Sequence, residues 1–197
     1  MIFALIVFLT LILALMTGGT LQNLKHINIR YSWLPVVAVT IKLVTHTSLR
    51  YTLSISDNLA VYLYIISLVL IAVFLLLNFR LRGFGLITVG FICNALAIGF
   101  NSGYMPVKRE YLNLIATAED LEKINQGLPA FNYVLTGPET KFYYLCDIFR
   151  MPDWILVTRV YSIGDILLAI GGSIFVWHYM KSTHFPDHKI TRYTLPR

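Results

Sequence analysis

The hydrophobic positions of this chain do not alternate and do not form a single stripe; they run together in blocks. Met1 to Thr17 is almost unbroken Ile, Leu, Phe and Ala, and Gly18-Gly19 ends it. A second block, Leu34 to Leu49, is interrupted by Lys42, Thr45 and His46. Asn58 to Phe79 is strongly apolar and runs into the basic turn Arg80-Leu81-Arg82-Gly83. A fourth block extends from about Phe84 to Gly103, and a fifth from about Val160 to Met180. A helix that is apolar all round and roughly 20 residues long matches the ~30 Å hydrocarbon layer of a bilayer. The pattern therefore predicts an all-α membrane protein, a bundle of about five transmembrane helices over 1–17, 34–49, 58–79, 84–103 and 160–180. A short extracytoplasmic cap loop (105–156) and a cytoplasmic tail (181–197) complete a single integral membrane domain, 1–197. The first block covers only ~25 Å at about 1.5 Å per residue, and 34–49 is the weakest span. Without it the topology drops to four spans and the termini share a side.

Local signals refine the ends. Leu21, Leu24 and Ile27 recur at three-residue spacing beside Lys25 and Arg30, which predicts an interfacial segment. Pro35 suits a first helical turn, and Asp57 is the predicted N-cap of the third span. Within the loop, Thr117 to Asp120 resembles a capping signal and Gly127 with Pro129 a stop, so a short helix is predicted near 118–126. Phe142, Tyr143, Tyr144, Phe149 and Trp154 give the loop an aromatic density that suits a packed cap with an interfacial underside.

Composition agrees with the pattern. The chain is 57% hydrophobic and 13% charged, against about 25% charged in a soluble domain. The net charge of +6 has a simple source in the basic bias of cytoplasmic loops, so nucleic acid is not an expected partner. With the N-terminus outside and the C-terminus inside, the short inner loops (18–33, 79–83, 181–197) carry eight Lys and Arg, and the longer outer loops (50–57, 105–157) carry six. Cys93 and Cys146 fall at different depths, which argues against a bridge.

The chemistry concentrates in a few polar residues within apolar blocks: Lys42, Asn94, Asn101 and Asp165. Asp165 is the only acid in any span, and a carboxylate in hydrocarbon marks a site or a partner. Asp165 sits about six residues from the outer end of its helix and Lys42 about eight, roughly 9 and 12 Å deep. These depths predict that Asp165 faces Lys42, with Asn101 hydrogen-bonded nearby, each charge lowering the other's penalty. Lys42, Thr45 and His46 share one helix face. Asp165, Ala169 and Ser173 repeat every four residues beside Gly164 and Gly172, a small-residue stripe that lets another helix approach. Against a ligand site stands a structural role, in which Lys42 snorkels and Asp165 caps backbone.

Other chemistry is weaker. His184 and His188 have ligand-like spacing, but Pro186 interrupts it, so no metal site is predicted. Asp165 lacks a second intramembrane acid, His46 lacks a Ser or Cys partner, and no glycine-rich phosphate loop occurs. His46 and His178 lie near opposite faces, which excludes a shared haem. No cofactor and no catalytic residue is predicted.

Three stretches carry a resemblance: Gly18-Gly19-Thr20-Leu21-Gln22-Asn23-Leu24, Asn101-Ser102-Gly103-Tyr104-Met105-Pro106-Val107, and Tyr161-Ser162-Ile163-Gly164-Asp165. The set resembles a family of small bacterial integral membrane proteins that carries only a domain-of-unknown-function label. Glycine is usual in that family where this chain has Ser102. The resemblance implies a bacterial origin, location in the cytoplasmic membrane, and one constellation containing Asn101, Gly103, Tyr104, Pro106, Gly164 and Asp165. Asp165 could then accept hydrogen bonds from the unwound amides of Asn101 to Tyr104 and anchor the cap. Three functions compete. The first is a non-catalytic accessory, assembly or scaffold subunit whose partners are the lipid bilayer and other membrane subunits. The second is a small transporter or ligand-binding protein using Lys42, Asp165 and Asn101. The third is a membrane enzyme at the outer interface, using Asp165 or the His46 region.

Overall fold

A computed structural model describes residues 2–47, 49–111, 114, 121–122, 133–152 and 160–182. Among these, six α-helices dominate: α1 (Ile2–Met16), α2 (Trp33–His46), α3 (Leu49–Thr52), α4 (Asp57–Leu77), α5 (Phe84–Gly99) and α6 (Ile163–Met180). Two stretches, Asn58–Leu77 and Ile163–Met180, are long and apolar enough to cross a membrane, with mean hydropathies of 2.9 and 1.4. α1, α2 and α5 are apolar but shorter.

The helices form a row. α6 packs between α1 and α5, α5 continues onto α4, and α4 packs on α2. The closest seam joins α5 to α6 through glycines seven residues apart on each side. A Cβ at Gly90 would stand 2.6 Å from the Gly164 carbonyl oxygen, and one at Gly171 would stand 2.7 Å from that of Gly83. Two turns of helix separate the paired glycines, so the backbones run antiparallel and touch along about 10 Å. Lacking side chains there, they approach as small-residue transmembrane helices do. The Ala169–Ser173 side of α6 turns instead to α1: Gly172 lies against Val7 and Phe3, and the Thr10 hydroxyl donates to Ser173 Oγ at 3.0 Å. The small-residue stripe thus faces protein, as its sequence indicates, but it serves α1, while the closer α5 contact belongs to Gly164 and Gly171.

Polar side chains close the helix ends. Asn78, 3% exposed, accepts from the Arg30 amide at 2.8 Å and donates to the Arg30 carbonyl at 2.9 Å, tying the entrance of α2 to the end of α4. The stretch Leu21–His26 is a 3-10 helix. Just before it, the Thr20 amide donates to the Met180 carbonyl at 3.0 Å, and Asn23 Nδ2 donates to the same oxygen at 2.8 Å. These bonds satisfy a carbonyl that the end of α6 leaves without an intrahelical donor.

Several boundaries differ from the sequence reading. α2 ends at His46, where Thr47 is extended, so that span is shorter than 34–49. Ser56, not Asp57, is the N-cap of α4; its hydroxyl accepts from the Leu59 amide at 3.4 Å. α5 stops at Gly99 because the left-handed Ser102 and Gly103 turn the chain out. α6 begins at Ile163, since Val160–Tyr161 is a strand. The cap is also not purely helical. β1 (Met105–Val107) pairs parallel with β2 (Tyr133–Leu135), and β3 (Phe149–Arg150) pairs antiparallel with β4 (Val160–Tyr161). Pro106 occupies a short edge strand, where a missing N–H is tolerated. The predicted helix near 118–126 lies outside the described residues except for Leu121 and Glu122.

Candidate functional site

Asn94, Ser162 and Asp165 gather at one end of the α5–α6 seam, beneath the cap. Ser162 is the N-cap of α6, and its hydroxyl accepts from the Asp165 amide at 3.1 Å. Asp165 Oδ2 accepts in return from the Ser162 amide at 3.3 Å, completing a capping box. α5 enters the same network. Asn94 Nδ2 donates to Asp165 Oδ1 at 3.0 Å, and the Ser162 hydroxyl donates to Asn94 Oδ1 at 2.8 Å. The four bonds form a ring across the seam, and Gly164 permits it, because a Cβ there would collide with Asn94 Oδ1. Both oxygens of Asp165 are therefore used to start a helix and to fasten it to its neighbour.

Asn101, just past the end of α5, does a different job. It donates to the Ala97 carbonyl at 2.6 Å and to the Lys141 carbonyl at 2.9 Å, and accepts from the Lys141 amide at 3.0 Å. This two-way clasp holds the cap to the end of α5. Gly103, at φ +84°, makes the exit turn, and Val61 of α4 lies 3.4 Å from where a Cβ would stand. Pro106 is fully buried, and its carbonyl accepts from the Asp147 amide at 3.1 Å. Tyr104 lines an open hollow of about 550 Å³ with Phe100, Asn101, Val134 and Pro138.

Lys42 does not meet Asp165. α2 lies at one side of the row and α6 beyond α4 and α5, so the two residues occupy different packing interfaces. The Lys42 ammonium instead sits over the Tyr64 ring of α4, 5.6 Å from its centroid, a cation–π contact. Neither does Asp165 take the Asn101–Tyr104 amides: those of Asn101 and Gly103 donate to Ile98, and that of Tyr104 to Asn101. The side chain of His46 and the His184–His188 pair lie outside the described residues. Among the described residues no group of three His, Cys, Asp or Glu is placed to hold a metal ion.

The structure adds a residue the sequence reading missed. Asp147 is 6% exposed, and its Oδ1 has no hydrogen-bond partner. Burial, and then the charge of Asp165, raise its carboxyl to about 7. Burial likewise pushes the Tyr133 hydroxyl up to about 12, with Asp147 and Asp165 adding to it. The Cys146 thiol rises to about 11, from burial and then from Asp147. So Asp165 does have an acidic neighbour, supplied by the cap and not by a span. The only sequence sign is a lone acid among Leu145, Cys146 and Ile148. By contrast, the ring around Asp165 was partly readable: Ser162-Ile163-Gly164-Asp165 has capping-box spacing.

An apolar cleft of about 280 Å³ also reaches this end of α6, lined by Ile6, Met151, Tyr161, Asp165, Ile166 and Ile170, among others.

A model of a family of unknown function, DUF5317, matches residues 26–177. The chain belongs to this family. The matched region contains the Asn101–Val107 and Tyr161–Asp165 stretches, and so both walls of the polar ring and its clasp. No curated protein and no solved structure matches the chain.

Proposed function

We propose that the protein is a non-catalytic, five-pass integral membrane protein, an accessory, assembly or scaffold subunit of a bacterial membrane complex. In this reading the cluster beneath the cap is a fastening. The observation that carries it is the use of both Asp165 oxygens within the fold, by Asn94 and by the Ser162 amide. Those bonds give the carboxylate its partners within the fold, so its place at the helix end requires no ligand. Helix direction supports five passes. α1 runs parallel to α6, since Thr10 meets Ser173 and Gly19 meets Met180. α2 and α4 are antiparallel through the Lys42–Tyr64 and Arg30–Asn78 contacts. With α5 antiparallel to α6, each apolar helix reverses the one before it, as successive spans must, with the N-terminus outside and the C-terminus inside. Exposed Leu59, Tyr62, Ile66, Val69, Val73 and Leu76 leave α4 an apolar surface for lipid or for another membrane subunit.

The test is purification from native membranes in mild detergent, followed by identification and stoichiometry of co-purifying chains. A discrete partner, retained by Asp165→Asn if the variant folds, is the expected result. Purification of a lone chain, together with loss of solute uptake in vesicles of a folded Asp165→Asn variant, would refute it. That second outcome would support a small ligand-binding protein or transporter, a reading favoured by the apolar cleft reaching Asp165. Its earlier form, with Lys42 and Asn101 in the site, loses support because those residues are engaged elsewhere. An enzyme at the outer interface would need water at this carboxylate, so an Asp165→Cys variant inert to polar thiol reagents counts against it.

A further inference from the structure

The Asp147 carboxylate has no task in the fastening just described. Its own amide is bound to the Pro106 carbonyl, and it bridges to Val107, so the backbone fixes where the side chain starts. Its neighbours Cys146 and Ile148 pack with Ala97 and Met105 at the end of α5, one turn beyond Asn94. The 3-10 turn Tyr143–Leu145 touches α6. This places Asp147 over the same helix ends that hold Asp165, near enough for the two charges to act on each other and on Tyr133.

Burial and then the charge of Asp165 from α6 push the Asp147 carboxyl up, and the charge of the chain's amino terminus acts the other way; Asp147 in turn raises Tyr133 of β2 and its neighbour Cys146, and α5 presents the neutral Asn94 to Asp165. Lys108, at the end of β1, is paired with Glu110 at 3.2 Å, and Lys42 lies over Tyr64. Burial disfavours an ionised carboxylate, and a second negative charge nearby adds to the effect. Asp165 accepts hydrogen bonds at both oxygens, from Asn94 and from the Ser162 amide. Asp147 offers a buried oxygen with no donor.

We propose that Asp147, buried beneath the cap beside Asp165, is a proton-binding site that takes up one proton from water at its carboxylate. The proton converts the unpartnered carboxylate into a neutral acid with a donor of its own. Because Asp147 lies in the cap and Asp165 in a helix, loss of the proton sets the two segments against each other electrostatically.

Infrared difference spectroscopy of the full chain in detergent, titrated from pH 5 to pH 9, tests the site. The C=O stretch of a protonated carboxyl should be present at the acid end and vanish through neutrality. It should be absent in Asp147→Asn. In Asp165→Asn the band should persist, with its midpoint moved toward acid by about one pH unit or more. Asp147→Glu, if folded, should restore a band at a shifted midpoint, which guards against a fold defect in the asparagine variant. A carboxyl titrating only near pH 4, or a midpoint indifferent to Asp165→Asn, would overturn the proposal. So would a midpoint displaced by sodium but not by choline at equal ionic strength, since the site would then be one for a metal cation.

Discussion

Replacing Gly90 by alanine adds one methyl group where the structure has no room for it. The new Cβ would lie 2.6 Å from the Gly164 carbonyl oxygen, 2.8 Å from Leu167 Cβ and 2.9 Å from the Leu168 amide nitrogen. Two of the three are backbone atoms, so no rotamer change relieves the clash. Restoring a contact of 3.4 Å to the carbonyl requires about 0.8 Å of helix separation. A gap of that size forfeits roughly a quarter to a half of the dispersion energy of the atoms along the seam. It also stretches the Asn94–Asp165 and Ser162–Asn94 bonds, now 3.0 and 2.8 Å, out of good geometry. Overpacking costs about 1–3 kcal/mol and each of the two weakened hydrogen bonds about 1 kcal/mol, less ~1 kcal/mol returned by helix propensity, so Gly90→Ala should destabilise by about 2–4 kcal/mol. Gly99, at the far end of the same helix, provides the control: a Cβ there meets nothing within 4 Å. Gly99→Ala should be neutral or stabilising by up to ~1 kcal/mol, from helix propensity. Equilibrium unfolding in mixed micelles, followed by circular dichroism, reads both variants against wild type. If Gly90→Ala unfolds together with Gly99→Ala, the glycine seam is not what holds α5 to α6.

Asn101→Ala removes both arms of the clasp on Lys141 and should cost about 1–3 kcal/mol, seen as faster limited proteolysis of the cap while the helices stay protected. The Asp147 carboxyl, raised from 3.8 to about 7 in the fold, binds more protons folded than unfolded between those values. Its presence therefore makes stability fall as pH rises from about 4 through about 7, by up to about 4 kcal/mol at ~1.4 kcal/mol per decade. Denaturant midpoints measured at pH 5 and pH 8 should differ by more in wild type than in Asp147→Asn. Cys146, fully buried and with its thiol raised to about 11, should resist maleimide at pH 7.5 in the folded chain and react on unfolding; rapid native labelling would refute its burial. Ser162→Ala should cost about 0.5–2 kcal/mol through loss of the helix cap, measured by the same micelle titration.

The block pattern alone located the apolar helices to within a few residues, because a helix's hydrophobicity is local to its own segment. It also marked Asp165 and Asn101 as anomalous, since each departs from what its own segment prefers. The order of the helices in the row had no such local sign. Equal predicted depth made Lys42 a reasonable partner for Asp165, but depth fixes one coordinate only, and two helices separate them. The partners actually chosen, Asn94 for Asp165 and Lys141 for Asn101, depend on where the glycine seam lets α5 and α6 touch and on how the cap folds back. Asp147 is the clearest case. In sequence it is one acid in a loop, and only the packing of the cap removes it from water and brings it within reach of Asp165.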